Sequence, residues 1–173
     1  MNNLLIKIKL IDDFTTILKI SKKEFIDKLS LITEEEKTGI FSKSFSIFSS
    51  NKKEYKGQVY LDGFKIKKQR KFFDTKYNLA TAEGALTEKD GLLTIKTEIN
   101  GFNNFMLFFG ILLIFFYSIF LSIVIIDLDL FIIPFILIHG AIIFSIPYFI
   151  LKGSVRKLKY ELEREFFYLT KDY

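Results

Sequence analysis

The sequence predicts an α+β protein: a small antiparallel β-sheet domain with one packed helix, a two-helix transmembrane hairpin, and a C-terminal amphipathic helix. Three observations predict it. Short alternating stretches with Asp-Gly turns fill roughly the first hundred residues. Two apolar runs follow, each about as long as one bilayer crossing, ~20 residues. The chain then ends on an apolar stripe at helical spacing within a charged segment. The expected domains are 1–104 (cytoplasmic sheet domain), 105–151 (spans 105–126 and 130–151) and 152–173 (amphipathic helix).

In the first domain "LLIKIKL" alternates, with Leu4, Ile6, Ile8 and Leu10 on one face, and reads as a strand. "TTILKI" reads as a second strand after the break at Asp12 and Asp13. Ser21 and Glu24 have capping-box spacing and open a helix near 22–32, with Phe25, Ile26 and Leu29 as its buried stripe. The acidic run Glu34, Glu35, Glu36 ends it and reads as solvated surface. "FSKSFSIFS" places Phe41, Phe45 and Ile47 on one face. Two units from Gly57 and Gly84 each hold a strand, an Asp-Gly pair and a second strand. Asp62-Gly63 and Asp90-Gly91 are hairpin signals because glycine accepts the positive φ such turns require, although Asp62-Gly63 also fits a bulge in one longer strand. The expected sheet has about five to seven antiparallel strands.

From residue 105 to 151 the only charged residues are Asp127 and Asp129, in the "DLD" connector. A chain of this size cannot surround two helices that are apolar on every side, so a bilayer is the expected solvent. The aspartates mark the far interface. Lys96 precedes the first run, and Lys152, Arg156, Lys157 and Lys159 follow the second, so both termini are expected in the cytoplasm of a bacterial-type inner membrane. A re-entrant loop is the alternative. Pro134 falls in the first turn of the second helix, whereas Pro147 lies inside it and is expected to kink it.

His139, the only histidine, lies nine residues inward from Leu130, and nine residues inward from Ile126 is Tyr117. Tyr117 and Ser118 are therefore expected at its depth, where their hydroxyls supply the donor and acceptor a neutral imidazole needs. The expected role is an interhelical hydrogen bond; a proton relay would need further titratable groups within the spans.

The tail places Val155, Leu158, Leu162, Phe166 and Leu169 on one helical stripe. Docking on the sheet domain is the first expectation, with self-association or lying on the membrane as alternatives.

The formal charge is +5, and the stretch "KIKKQRKFF" gathers Lys65, Lys67, Lys68, Arg70 and Lys71 as a possible acidic-lipid contact. Strand alternation sends Lys65 and Lys67 one way and Lys68 and Arg70 the other. Without cysteine there is no disulfide or thiolate chemistry. One histidine, inside an apolar run, leaves no aqueous Ser-His-Asp triad and no HExxH, and neither GxxxxGK[ST] nor GxGxxG occurs. No catalytic, metal or cofactor site is expected. The expected partners are the lipid bilayer and a protein at the cytoplasmic domain; nucleic acid is disfavoured and a homo-oligomer stays open. The expected role is a non-catalytic interaction, scaffolding or sensing module. The alternatives are a transport or channel accessory subunit built around His139, or a membrane-bound enzyme acting on lipid-linked substrates.

Overall fold

The structure, a computed structural model, describes residues 2–35, 53–69, 78–102, 104–126 and 130–171. It is α+β, with a six-stranded mixed sheet and helices, two of them long and apolar. Strands β1 (Ile11–Leu18), β2 (Thr33–Glu35), β3 (Tyr55–Tyr60), β4 (Gly63–Lys68), β5 (Thr81–Lys89) and β6 (Leu92–Asn100) lie in the order β1-β6-β5-β4-β3-β2. The helices are α1 (Asn2–Lys7), α2 (Lys22–Ile32), α3 (Asn104–Ile126) and α4 (Ile133–Leu169), with a 3-10 turn at Leu130–Ile132.

The first stretch departs from the sequence expectation: "LLIKIKL" is a helix with its end cap, not a strand. Lys9 turns the chain into the left-handed region (φ 59°). The Leu10 N–H then donates to the Leu5 carbonyl (2.9 Å) and the Lys9 N–H to that of Ile6 (3.0 Å). This double bond pattern is a Schellman ending, and Leu5 and Leu10 bury together beside it. A six-residue helix is marginal alone, so that packing holds it.

Asp12 and Asp13 do not break the next element, and β1 runs through both. The Asp12 carboxylate accepts from the Asp13 N–H (2.9 Å) and from Lys159 Nζ (3.0 Å), while Lys159 also donates to the Asp13 carbonyl (3.0 Å). Backbone groups that an edge strand leaves open are thereby occupied.

α2 is capped as expected: the Ser21 hydroxyl accepts from the Glu24 N–H (3.2 Å). Glu24 turns outward to pair with Lys28 instead of closing the box. Phe25 and Leu29 are fully buried and Ile26 partly. The acidic run after α2 does not simply end the helix, because Thr33, Glu34 and Glu35 form β2, parallel to β3. The sheet is therefore mixed, not purely antiparallel. The other pairs are antiparallel.

Asp90 and Gly91, both at positive φ (54° and 72°), turn β5 into β6. The β3–β4 hairpin turns on Leu61 and Asp62, one residue earlier than the dipeptide suggests, and Gly63 opens β4. Phe41, Phe45 and Ile47 lie outside the described residues, as do Glu36, Arg70, Lys71, Asp127 and Asp129.

One sheet face is covered by α2 and the C-terminal half of α4. Leu93, Ile95, Thr97 and Ile99 of β6 point into this layer and are buried. Phe166 of α4 is its hub, with ring centroids 5.3 Å from Phe25, 5.8 Å from Phe64 and 6.1 Å from Phe14. Gly84 makes room, since a Cβ there would sit 2.2 Å from the Phe64 ring. Val155, Leu158 and Leu162 complete the docked stripe, with Leu169 packed at its edge. The tail is no separate helix: α4 is one element of 37 residues and continues through Pro147. A second, smaller cluster joins Leu5, Leu10, Ile11 and Leu151, with Ile8, Leu79, Phe102 and Tyr148 against it.

Candidate functional site

Three places concentrate polar chemistry. The first lies between the apolar helices, where the Tyr117 hydroxyl and His139 Nδ1 are 2.6 Å apart. The tautomer of the ring sets which atom donates. Tyr117 also packs on Phe144, and Gly140 lies against its ring. Ser118 does not join them. Its hydroxyl donates to the carbonyl of Ile114 in its own helix (2.8 Å), because adjacent helical residues point about 100° apart and cannot share one partner. An apolar depression of about 340 Å³ adjoins the pair, lined by Phe116, Phe120, Phe135 and Ile136.

The second is the sheet face that no described element covers. Strand register sets Thr15, Lys96, Ala85 and Gly63 in one row and Asp13, Glu98, Glu83 and Lys65 in the next. With Tyr60 they border a depression of about 680 Å³. Lys65 pairs with Glu83 across the strands, and this hydrogen bond holds its ammonium above the ordinary lysine range.

The third is the sheet end nearest the apolar helices. Lys67 pairs in register with Lys56 on one side and Thr81 on the other, and Thr81 with Asn100. Lys7, Lys9 and Lys152 lie on elements that meet at this end through Leu5, Leu10 and Leu151. Of the basic stretch read from the sequence, Lys65 and Lys67 share the uncovered face. Lys68 points to the other, where it pairs with Glu54 (2.9 Å) and Glu161 (3.6 Å) and lies over the Tyr55 ring (4.8 Å). Arg70 and Lys71 lie outside the described residues. Beside Lys68, burial raises the Tyr55 hydroxyl well above the usual phenol range. Burial also raises the Glu165 carboxyl, reinforced by Glu54.

Sequence reasoning found the basic stretch but missed Lys56 as its neighbour, since only strand register sets it beside Lys67. Comparison with family models, with curated proteins and with solved structures finds no match.

Proposed function

We propose that this is an integral membrane protein with a two-helix hairpin that holds its sheet domain rigidly against the cytoplasmic face, as a non-catalytic interaction or sensing module. One observation carries the reading: the N-terminal sheet and the C-terminal half of α4 share one core through Val155, Leu158, Leu162 and Phe166. Parts that share a core lie on one side of a membrane, so the chain between them crosses an even number of times. α3 and α4 supply the two crossings. In each apolar window only 6% is buried within the protein, whereas the central helix of a soluble core would be mostly enclosed. The basic residues that follow the second run favour a cytoplasmic location for that side.

The unbroken α4 then matters for the role. A flexible tether would let the domain tumble, but a helix shared by the bilayer and the domain core fixes which sheet end faces lipid. That end carries Lys56 and Lys67, each contributing ~1 kcal/mol of attraction near an anionic leaflet. The uncovered face, with Tyr60, Lys65, Lys96 and Glu98, is held away from the helices for a protein partner.

The test has two arms, both on the full chain in native membranes. Carbonate extraction should leave it in the pellet, and a thiol reagent applied to sealed right-side-out cells should label Leu128→Cys but not Leu31→Cys. Extraction into the supernatant, or the reverse labelling, overturns the placement. A photo-cross-linker at Thr15 should form an adduct of one discrete mass that Lys96→Glu abolishes. A smear that the charge reversal leaves unchanged removes the interaction role.

A further inference from the structure

We infer that α1 is a second membrane contact: a short interfacial helix that presents Leu4 and Ile6 to lipid and holds the sheet domain at a fixed tilt. The inference rests on the membrane reading above and adds an anchor that the sequence alone hides. The Tyr148 hydroxyl donates to the Ile8 carbonyl at the end of α1 (3.2 Å). Leu5 packs in one cluster with Leu151, and Tyr148 and Phe102 border that cluster. Tyr148 lies three residues before Leu151, its backbone about 4.5 Å further into the apolar run, so α1 is bonded to a side chain that starts inside that run. On the membrane reading, a helix held there by Tyr148 and Leu151 is not in bulk water.

Its surface fits the place. Leu5 faces the protein and is buried, while Leu4 and Ile6 flank it at 62% and 47% exposure. Of the other exposed apolar side chains of the sheet domain, Ile17 and Leu61 stand singly at the opposite end of the sheet, whereas Leu31 ends α2 just before β2, at the sheet edge opposite β1 and α1. Leu4 and Ile6 flank the residue, Leu5, that packs with Leu151 at the end of the apolar run. Lys7 points away from Leu5 and, with Lys9, stands where a lysine reaches headgroups while its stem stays in the apolar layer. Tyr148 and Lys152 make the same transition on α4: the ammonium lies 5.5 Å from the ring centroid and donates to the hydroxyl (3.4 Å). Apolar flanks with lysines at the rim are the pattern of a helix lying in the interface, its apolar face about 5–10 Å into the headgroup boundary.

The chain contains no cysteine, so a single introduced one carries an environment-sensitive fluorophore alone. Leu4→Cys, Ile6→Cys, Ile138→Cys and Ile17→Cys all alter exposed side chains and leave both buried clusters intact. Each labelled full-length protein is reconstituted into phosphatidylcholine–phosphatidylglycerol vesicles, with and without brominated acyl chains. Ile138 should be quenched and Ile17 should not. Blue-shifted emission with bromine quenching at position 4, position 6 or both supports the interfacial helix. Ile138 quenched while positions 4 and 6 match Ile17 overturns the inference and leaves the membrane reading standing. An unquenched Ile138 removes both.

Discussion

The two halves of α4 have one backbone and opposite surfaces. Between residues 133 and 150, large apolar side chains point outward: Phe135, Ile138 and Phe149 are each more than 60% exposed. From Val155 onward an apolar stripe at 155, 158, 162 and 166 is buried, with charged residues and the exposed rings of Tyr160 and Phe167 on the other side. The first half is apolar nearly all round, and on the proposed reading it rests in lipid, whereas the second is amphipathic and packs on the sheet. If the first half lies in lipid as proposed, the hydrophobic effect acts on the second half alone, since lipid tails are as apolar as leucine. Equal truncations in the two halves should therefore have unequal consequences.

Phe166→Ala is the strongest test. It empties the centre of an aromatic cluster that joins α2, β1 and β4, and a buried Phe→Ala costs about 3–5 kcal/mol. Chemical denaturation of the full chain in detergent should show that loss, while carbonate extraction still leaves the variant in the membrane. Phe149→Ala, on the outward surface of the first half, should leave the denaturation midpoint of the sheet domain within about 0.5 kcal/mol of wild type. Equal losses from the two would mean that the halves do not face different solvents.

The same contrast explains which parts could be read in advance. The stripe of the second half was legible because its spacing is sustained over five positions, Val155 to Leu169. The turn at Asp90 and Gly91 was legible because the chemistry of positive φ is local. The Tyr117 and His139 contact followed from counting depth along two apolar runs, but Ser118 did not, since rotation about the helix separates neighbours that share a depth. α1 was misread because seven alternating residues satisfy both periods, and its left-handed cap is a lysine where glycine would have signalled the stop. β2 escaped because three residues rich in charge carry no strand pattern. The fusion of span and tail into one helix was hidden by a change in composition at Lys152 and Gly153, which resembles a boundary although the backbone has none.

Gly153 stands at that junction and offers a test of opposite sign. It is exposed, helical, and nothing lies within 4 Å of where its Cβ would be. Gly153→Ala should therefore stabilise by about 0.5–1 kcal/mol, read as a higher midpoint of thermal unfolding in detergent. No gain would mean that the two halves are joined by something looser than a continuous helix. Against the apolar half, Tyr117→Phe on α3 removes the hydroxyl bonded to His139 and should weaken the association of α3 with α4 by about 0.6 kcal/mol, with an upper bound near 2. A loss as large as that of Phe166→Ala would show that the contact does more than join two helices.

The smallest effect concerns pH, and it too divides the helix. In the docked half, burial and then Glu54 raise the Glu165 carboxyl above its ordinary value of 4.5, with Glu161 adding to this and Lys68 and Arg164 opposing it. The folded state holds that proton more tightly than the unfolded chain. Below pH 4.5 both states are protonated and the stabilisation from the neutral carboxyl is fully present; as pH rises through the raised value the folded chain must ionise a partly buried group, and that stabilisation is lost. Glu165→Gln keeps the side chain neutral throughout. Its denaturation midpoint should match wild type in acid and rise slightly above it toward neutrality, so that the two curves separate only above the ordinary carboxyl range. Curves that separate in acid instead would mean that Glu165 is stabilised as a carboxylate, with Lys68 and Arg164 outweighing burial and Glu54.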